Sequence, residues 1–353
     1  MNAPRLKVMH VLGAKNSGGA ELFYLRLVIA LQKHCEVLCV VRENSWMAKQ
    51  LEEKGIPYRT APFGGLLDFK TKTLLKKYMN NFKPDVVQGW MNRACKAFPK
   101  TKIPTVGRLG GYYALKNYKN CDYLAGNTKG IQNYLIQSGW PEDKSFYLPN
   151  FSPLPPSEYR EHRSGVRYGY QIPQSAKVLF VAGRLHDVKG IDTAITALKD
   201  LPVNVYLLVA GTGPEESALR SLAESLDVAD RVHFAGWVSE LSVVASAADI
   251  WLVPSRYEPL GNVVLDAWAH EIPLVTADAA GPKSLVEDGV SGVMVPMNDP
   301  DALVKGIARV LDDETLAQKI VEGGTLKLKN TFSEEVVVAQ YLAFYRQISL
   351  NVS

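Results

Sequence analysis

Residues 249–269 read DIWLVPSRYEPLGNVVLDAWA. The apolar run 250–253 predicts a buried strand, and Pro254-Ser255 ends it. A polar loop with Glu258 and Gly261 follows, and a helix restarts near Asn262. Strand, glycine-containing loop and helix is the unit with which an α/β sheet presents backbone N–H groups to an anion. Asp266 falls about one turn into the helix, at ~3.6 residues per turn, on the side facing the same cleft. A carboxylate does not hold phosphate, but it accepts paired hydrogen bonds from vicinal hydroxyls. The stretch therefore predicts a ligand carrying both phosphate and sugar.

The same unit recurs on both sides. Upstream, AKVLFVAG (176–183) is a buried strand, followed by the loop 184–190 and a helix through Leu198. Arg184 and Lys189 in that loop are placed to embrace a diphosphate, one as a planar donor fork and one as a mobile point charge. His186 reads as an ordinary loop residue, because no carboxylate at fixed spacing orients it. VNVYLLVAGTGP (203–214) repeats strand and glycine turn, with a helix from Glu215. RVHFAGWV (231–238) is a strand ending at Gly236-Trp237, where backbone can pair with a base edge. IPLVTADAAGP (272–282) is another strand with a Gly281-Pro282 turn, and helices over 302–311 and 334–348 complete the chain. Asn298-Asp299-Pro300-Asp301 contains the Asp-x-Asp that some sugar-transferring enzymes use for Mg²⁺ or Mn²⁺; directly before a helix it reads as a cap, and no metal is expected.

The N-terminal half opens with LKVMHVLGAKNSGGAELFYLRLVIALQK (6–33): strand, small-residue loop, amphipathic helix. The loop is neither a GxGxxG fingerprint nor a Walker loop. Strands over 34–41, after Pro57, and over 85–88, 103–108 and 121–126 alternate with helices over 46–54, 71–81 and 129–137. This predicts a second parallel, doubly wound sheet with ligands at the carboxyl ends of its strands, where Arg108, Tyr112, Tyr113 and Asn127 fall. The proline-rich run 148–156 marks a linker, giving domains of 1–150 and 166–332 joined by 151–165.

Composition sets further bounds. Of 353 residues, 47% are apolar and 22% charged, as in ordinary globular proteins. Four cysteines without a CxxC pair indicate neither a disulfide framework nor a zinc ribbon, which suits a cytoplasmic protein. No apolar run reaches the ~18 residues of a membrane span, and no signal peptide opens the chain. The net charge of +4 divides unevenly: residues 1–165 hold 25 Lys+Arg against 12 Asp+Glu, and residues 166–353 hold 15 against 24. A balance of +13 beside −9, with Lys70, Lys72, Lys76, Lys77 and Lys83 clustered, points to an anionic membrane surface or acidic glycan as partner. No nucleic acid is expected.

The ordered set GGAE (18–21), GRLHDVKG (183–190), AGTGP (210–214), FAGWV (234–238) and PSRYEPLGNVVLDAWA (254–269) resembles retaining glycosyltransferases of family four, which have the GT-B fold. GRLGGYY (107–113), WMNRA (90–94) and EPLGNVVLDAWA look most like the bacterial branch that builds lipopolysaccharide core and related surface glycans. The resemblance implies two Rossmann-like domains facing across a cleft, the first for the acceptor and the second for a UDP- or GDP-sugar, with 333–353 crossing back to the first. It implies a metal-independent hexosyltransferase, peripheral on the inner face of the inner membrane. Carried over by position, Arg184 and Lys189 would stabilise the departing diphosphate and Glu258 would contact the transferred sugar. Asp266 would meet the ribose, and Pro259, Leu260, Gly261, Asn262 and Val263 the donor. Gly18, Gly19, Gly183, Gly211, Gly213, Trp237 and Val238 would complete the donor contacts.

The chain departs from the family in several places. Asp266 stands for glutamate, His270-Glu271 for the usual glycine, and Lys283-Ser284 where glutamate is common; the N-domain histidine often near the reacting centre is missing. Other GT-B chemistries compete: an epimerase needs clustered acid/base groups at the sugar and a phosphorylase a cofactor lysine. A non-catalytic sugar-nucleotide-binding protein is the remaining alternative, supported by positions 266 and 284.

Overall fold

The structure, a computed structural model, describes residues 5–64 and 68–350, and it divides into two compact units. The first runs to Phe151 and takes back the chain from Glu334; the second is Ser152–Ser333.

The first unit holds a seven-stranded sheet of β1 (Lys7–Leu12), β2 (Glu36–Arg42), β3 (Tyr58–Ala61), β4 (Val86–Trp90), β5 (Thr105–Leu109), β6 (Tyr123–Gly126) and β7 (Ser145–Tyr147). Their spatial order is β3-β2-β1-β4-β5-β6-β7, and each pairing is parallel. The second unit holds β8 (Lys177–Ala182), β9 (Val205–Ala210), β10 (Val232–Gly236), β11 (Ile250–Val253), β12 (Leu274–Ala277) and β13 (Val293–Val295). Here the order is β10-β9-β8-β11-β12-β13, again parallel. A parallel sheet must bury both faces, which is why β4, β5 and β11 are buried along their whole length. Strand order reverses between β1 and β4 in one sheet and between β8 and β11 in the other, and those switch points are where α/β sheets bind ligands.

One face of the first sheet is covered by helices Gly19–Gln32 and Glu334–Leu350. The returning helix buries Val337, Tyr341, Tyr345 and Ile348, and Tyr345 Oη donates to Gln88 Oε1 of β4 (2.8 Å). The second sheet is packed on both faces, with Ile195, Leu207 and Ile307 on one and Trp251, Trp268 and Phe332 on the other.

Several segments differ from the expectations. Gly281-Pro282 is not a turn but lies inside the helix Ala280–Leu285; proline is tolerated there because the first turn has no intrahelical acceptor for its missing N–H. A helix over Glu314–Lys327 was not expected. Residues read as a linker fold as helical turns, Tyr159–His162 and Arg163–Gly169, fastened to the second unit: Tyr159 Oη donates to the His270 carbonyl, and Arg163 and Arg167 pair with Asp249 at 2.6 and 2.8 Å.

Candidate active site

At the switch point of the second sheet β8 lies beside β11, so the loops that leave their carboxyl ends meet. The Val188 carbonyl accepts from both Arg256 N (2.9 Å) and Tyr257 N (3.1 Å). The Arg256 guanidinium then ties the same two loops, donating to Asp192 Oδ1 (2.8 Å), Asp192 Oδ2 (2.5 Å) and the Asp187 carbonyl (2.6 Å), and also to Asn298 Oδ1. Its hydrogen bonds to Asp192 raise its pKa further above the usual arginine range. Sequence reading passed over Arg256; it is the residue that fastens the 184–190 loop to the opening stretch.

Within that frame Lys189 Nζ donates to Glu258 Oε2, and Glu258 Oε1 accepts from Gly261 N (3.2 Å). Both side chains are largely sheltered, the lysine 23% and the glutamate 11% exposed. The Glu258 carbonyl is held by Gly281 N at 2.7 Å. A Cβ on Gly281 would stand 2.4 Å from that oxygen and 2.6 Å from the Leu260 carbonyl carbon, so only glycine permits the approach. Gly281 was read merely as a turn. Its signal, a glycine just beyond a strand end, is shared with many loops.

The helix Asn262–Ala269 begins here, with Gly261 as its N-cap in the left-handed region (φ 86°), a residue with no side chain to cap the first turn. Its positive end therefore lies one residue from the Lys189–Glu258 pair. Arg184 is exposed on the neighbouring loop and, among the described residues, finds no ion-pair partner. Leu260 is buried, and Pro259, Asn262 and Val263 are half-buried around the pair. Asp266 sits deeper, 8% exposed, with Oδ1 accepting from Ser152 Oγ (2.5 Å). Gly183, Gly211 and Gly213 close the neighbouring strand ends: Gly183 N donates to Ala210 O (2.9 Å) and Gly211 N to Gly236 O (2.7 Å). Trp237 is 63% exposed beside half-buried Val238. His186 accepts from Val188 N (3.4 Å), a capping role. Asp299 Oδ1 accepts from Ala302 N (2.8 Å), so the Asp-x-Asp is a helix cap. Among the described residues no three His, Cys, Asp or Glu side chains gather as a metal site.

In the first unit Gly18 and Gly19 start the helix after β1, with Gly18 in extended backbone. Tyr112 is 45% exposed and edge-on to Tyr134, whose hydroxyl donates to the Tyr113 carbonyl (3.0 Å). Arg108 and Asn127, expected at ligand-facing strand ends, are both buried. Arg108 is 2% exposed, donates to Tyr341 Oη (2.8 Å) and Asn150 Oδ1, and lies 4.8 Å over Phe23 and 4.5 Å over Trp90. The returning helix roofs the end of β5, so its terminal cation points into the core and is held by hydroxyl, amide and two aromatic faces. Asn127, 4% exposed, lies beneath the Thr128 cap of helix Lys129–Gln137.

A family model described as "Glycosyl transferases group 1" matches residues 167–327. The lipopolysaccharide core biosynthesis glycosyltransferase LpsE of Rhizobium meliloti (strain 1021) is 32% identical over 342 residues, 96% of this chain and 98% of that protein. The chain belongs to the group 1 glycosyltransferases. LpsD of the same organism is 31% identical over 352 residues, with the same coverage. Among solved structures the glycosyltransferase resembles Anabaena HepE in complex with UDP, with a TM-score of 0.84, 19% identity and coverage of 97% of this chain and 100% of that one. The fold is thus GT-B, and the protein is an enzyme of sugar transfer.

Proposed function

We propose that this glycosyltransferase is retaining and metal-independent, and moves a sugar from a UDP- or GDP-sugar to a glycan or glycolipid of lipopolysaccharide core or a related surface polysaccharide. The observation that carries the reading is the Lys189–Glu258 pair beside the N-terminus of helix Asn262–Ala269. It supplies, within one loop pair, a cation and helix dipole for a diphosphate and a carboxylate for sugar hydroxyls. UDP and UDP-glucose bound to HepE, and the names of LpsE and LpsD, support the donor and acceptor classes.

In the reaction the bond from the anomeric carbon to the donor phosphate breaks as that carbon bonds to an acceptor hydroxyl on the same face. The hydroxyl proton passes to the departing phosphate oxygen, so no protein base is needed. Negative charge grows on the leaving diphosphate, and Lys189 and Arg184 stabilise that charge more in the transition state than in the bound donor. Glu258 orients the sugar through its hydroxyls, held by Gly261 and Gly281. Asp266, one methylene shorter than glutamate, meets the ribose by exchanging its Ser152 hydrogen bond for a hydroxyl.

Incubation with UDP-glucose, UDP-N-acetylglucosamine and GDP-mannose, with chelator present, tests the reading. Nucleotide should be released from at least one donor, and the product should keep the anomeric configuration by NMR. If none of the three binds or releases nucleotide, the proposal fails; inversion would remove its retaining part.

A further inference from the structure

Lys189 stands between two fixed points. On one side the Val188 carbonyl accepts from Arg256 N and Tyr257 N. On the other Gly190 (φ 63°) lies against Pro254, where an added Cβ would stand 2.0 Å from the carbonyl oxygen. Both contacts are made by the opening stretch just before Glu258. The Arg256 side chain closes the loop from outside. Its Nη1 and Nη2 pair with the two oxygens of Asp192, Nη1 also reaches the Asp187 carbonyl and Oδ1 (3.2 Å), and Nε donates to Asn298 Oδ1. Asp187 and Asp192 flank Lys189 in the chain, and Asn298 follows β13, so one planar fork joins the segments beyond β8, β11 and β13. The Asn298-Asp299 pair thus does more than cap a helix: Asp299 starts the helix at Pro300, and Asn298, in left-handed backbone (φ 57°), holds the fork.

Exposure separates what this network does for stability from what it does for position. The Arg256 side chain is 24% exposed, and its carboxylate partners more so. Ion pairs this accessible to water contribute little to stability, because solvent screens the charges and replaces the contact when it is lost. Catalytic geometry is far less forgiving: a reacting pair must be held within ~0.5 Å, and a misplacement of ~1 Å can cost about 10²-fold in rate. Loosening the fork would leave the fold standing and let Lys189 drift from Glu258. A lysine at position 256 would keep the charge but lose the plane of donors that reaches Asp192, Asp187 and Asn298 together.

We propose that Arg256 is a positioning residue of this transferase, acting on the reaction by holding Lys189 against Glu258 while Asn298 steadies its fork. Its kinetic consequence rests on the transfer chemistry proposed above, whereas its structural consequence is read in the free protein. In the full-length protein without donor, lysines compete for limiting acetic anhydride and each site is quantified by mass spectrometry. Lys189, sheltered by Glu258, should label more slowly than exposed Lys199 and Lys305. Arg256→Met should raise its labelling about threefold and leave the other two unchanged. With a donor that turns over, Arg256→Met should lower kcat about tenfold, with donor KM changed less than about twofold and a melting temperature within about 3 °C of wild type. In a Lys189→Ala background the same substitution should cost less than about twofold more, because the group it positions is already gone. Arg256→Lys should recover only part of the loss, and Asn298→Ala, a change at an exposed residue, should lower kcat about threefold. A full tenfold loss added to Lys189→Ala, a fall in melting temperature that accounts for the lost activity, or unchanged labelling of Lys189 overturns the proposal. If no donor is turned over, the transfer reading fails while the labelling result still decides the role of Arg256.

Discussion

Lys189 touches Glu258 with no diphosphate bound, so the cation is oriented by the carboxylate proposed to contact the sugar. Removing it should cost mainly the interaction that grows as the leaving group departs. Lys189→Ala is expected to lower kcat about 10²-fold, the scale of losing one oxyanion-stabilising donor, with little change in acceptor KM. Steady-state kinetics check this, and an effect confined to acceptor KM would contradict the assignment. His10 supplies a second residue-scale prediction. Desolvation, with Arg108 close by, lowers its pKa to about 3, against the ordinary 6.5. Tyr24, Trp90 and Tyr345 also surround it, and Trp90 Nε1 donates to its Nδ1 (3.2 Å). Between pH 6.5 and 3 the unfolded chain binds the extra proton, so this contribution is intact above 6.5 and is lost as pH falls. The slope is ~1.4 kcal/mol per pH unit, or about 2 kcal/mol from pH 6.5 to 5. Urea unfolding of wild type and His10→Gln at both pH values should show that difference only in the wild type. The two neighbours also mark how far residues can be read from sequence. That Lys189 and Glu258 come together was legible because motif and loop chemistry agreed. The burial of Arg108 was not, because its roof, Tyr341, comes from 233 positions away.

At the scale of elements, most strands were legible from continuous apolar runs, because sheets buried on both faces need them. Elements shaped by distant packing were not. The helix Glu314–Lys327 contains Gly323-Gly324, a pair with low helix propensity. Yet a Cβ at Gly324 would stand 2.3 Å from Trp268 Cδ1, so the glycine admits the Trp268 ring rather than ending the helix. The opposite held for Phe69–Phe82, whose helical spacing was plain: Thr71, Leu75 and Met79 are buried, while Lys70, Lys72, Lys76 and Lys77 are exposed. Phe69 at its start is 73% exposed, and an aromatic beside a lysine face suits the headgroup region of an anionic bilayer. Each such lysine is worth about 1 kcal/mol near an acidic membrane surface. Lys76→Glu with Lys77→Glu should therefore weaken cosedimentation with phosphatidylserine vesicles by well over tenfold at low salt. Unchanged cosedimentation would remove the membrane reading while leaving the transferase chemistry intact.

For the whole molecule, the decisive feature is that the first unit is completed only by the last segment of the chain. Helix Glu334–Leu350 buries Val337, Val338, Tyr341, Leu342, Phe344, Tyr345 and Ile348. At ~1.5–3 kcal/mol for each large side chain, their burial contributes at most about 10–20 kcal/mol. Domains are stable by only ~5–15 kcal/mol, so the first unit should not survive without the helix. Truncation also strips the Tyr341 hydroxyl from the buried Arg108 and the Tyr345 hydroxyl from Gln88 Oε1, removing one hydrogen bond from each. The cores of the second unit draw on no residue beyond Phe332 and keep their full complement. A chain ending at Ser333 should thus be split by limited proteolysis into a resistant 152–333 fragment and a rapidly digested N-terminal segment, whereas the full chain resists throughout. A truncated protein whose residues 5–151 remain as resistant as in the full chain would show that the returning helix is dispensable to that core.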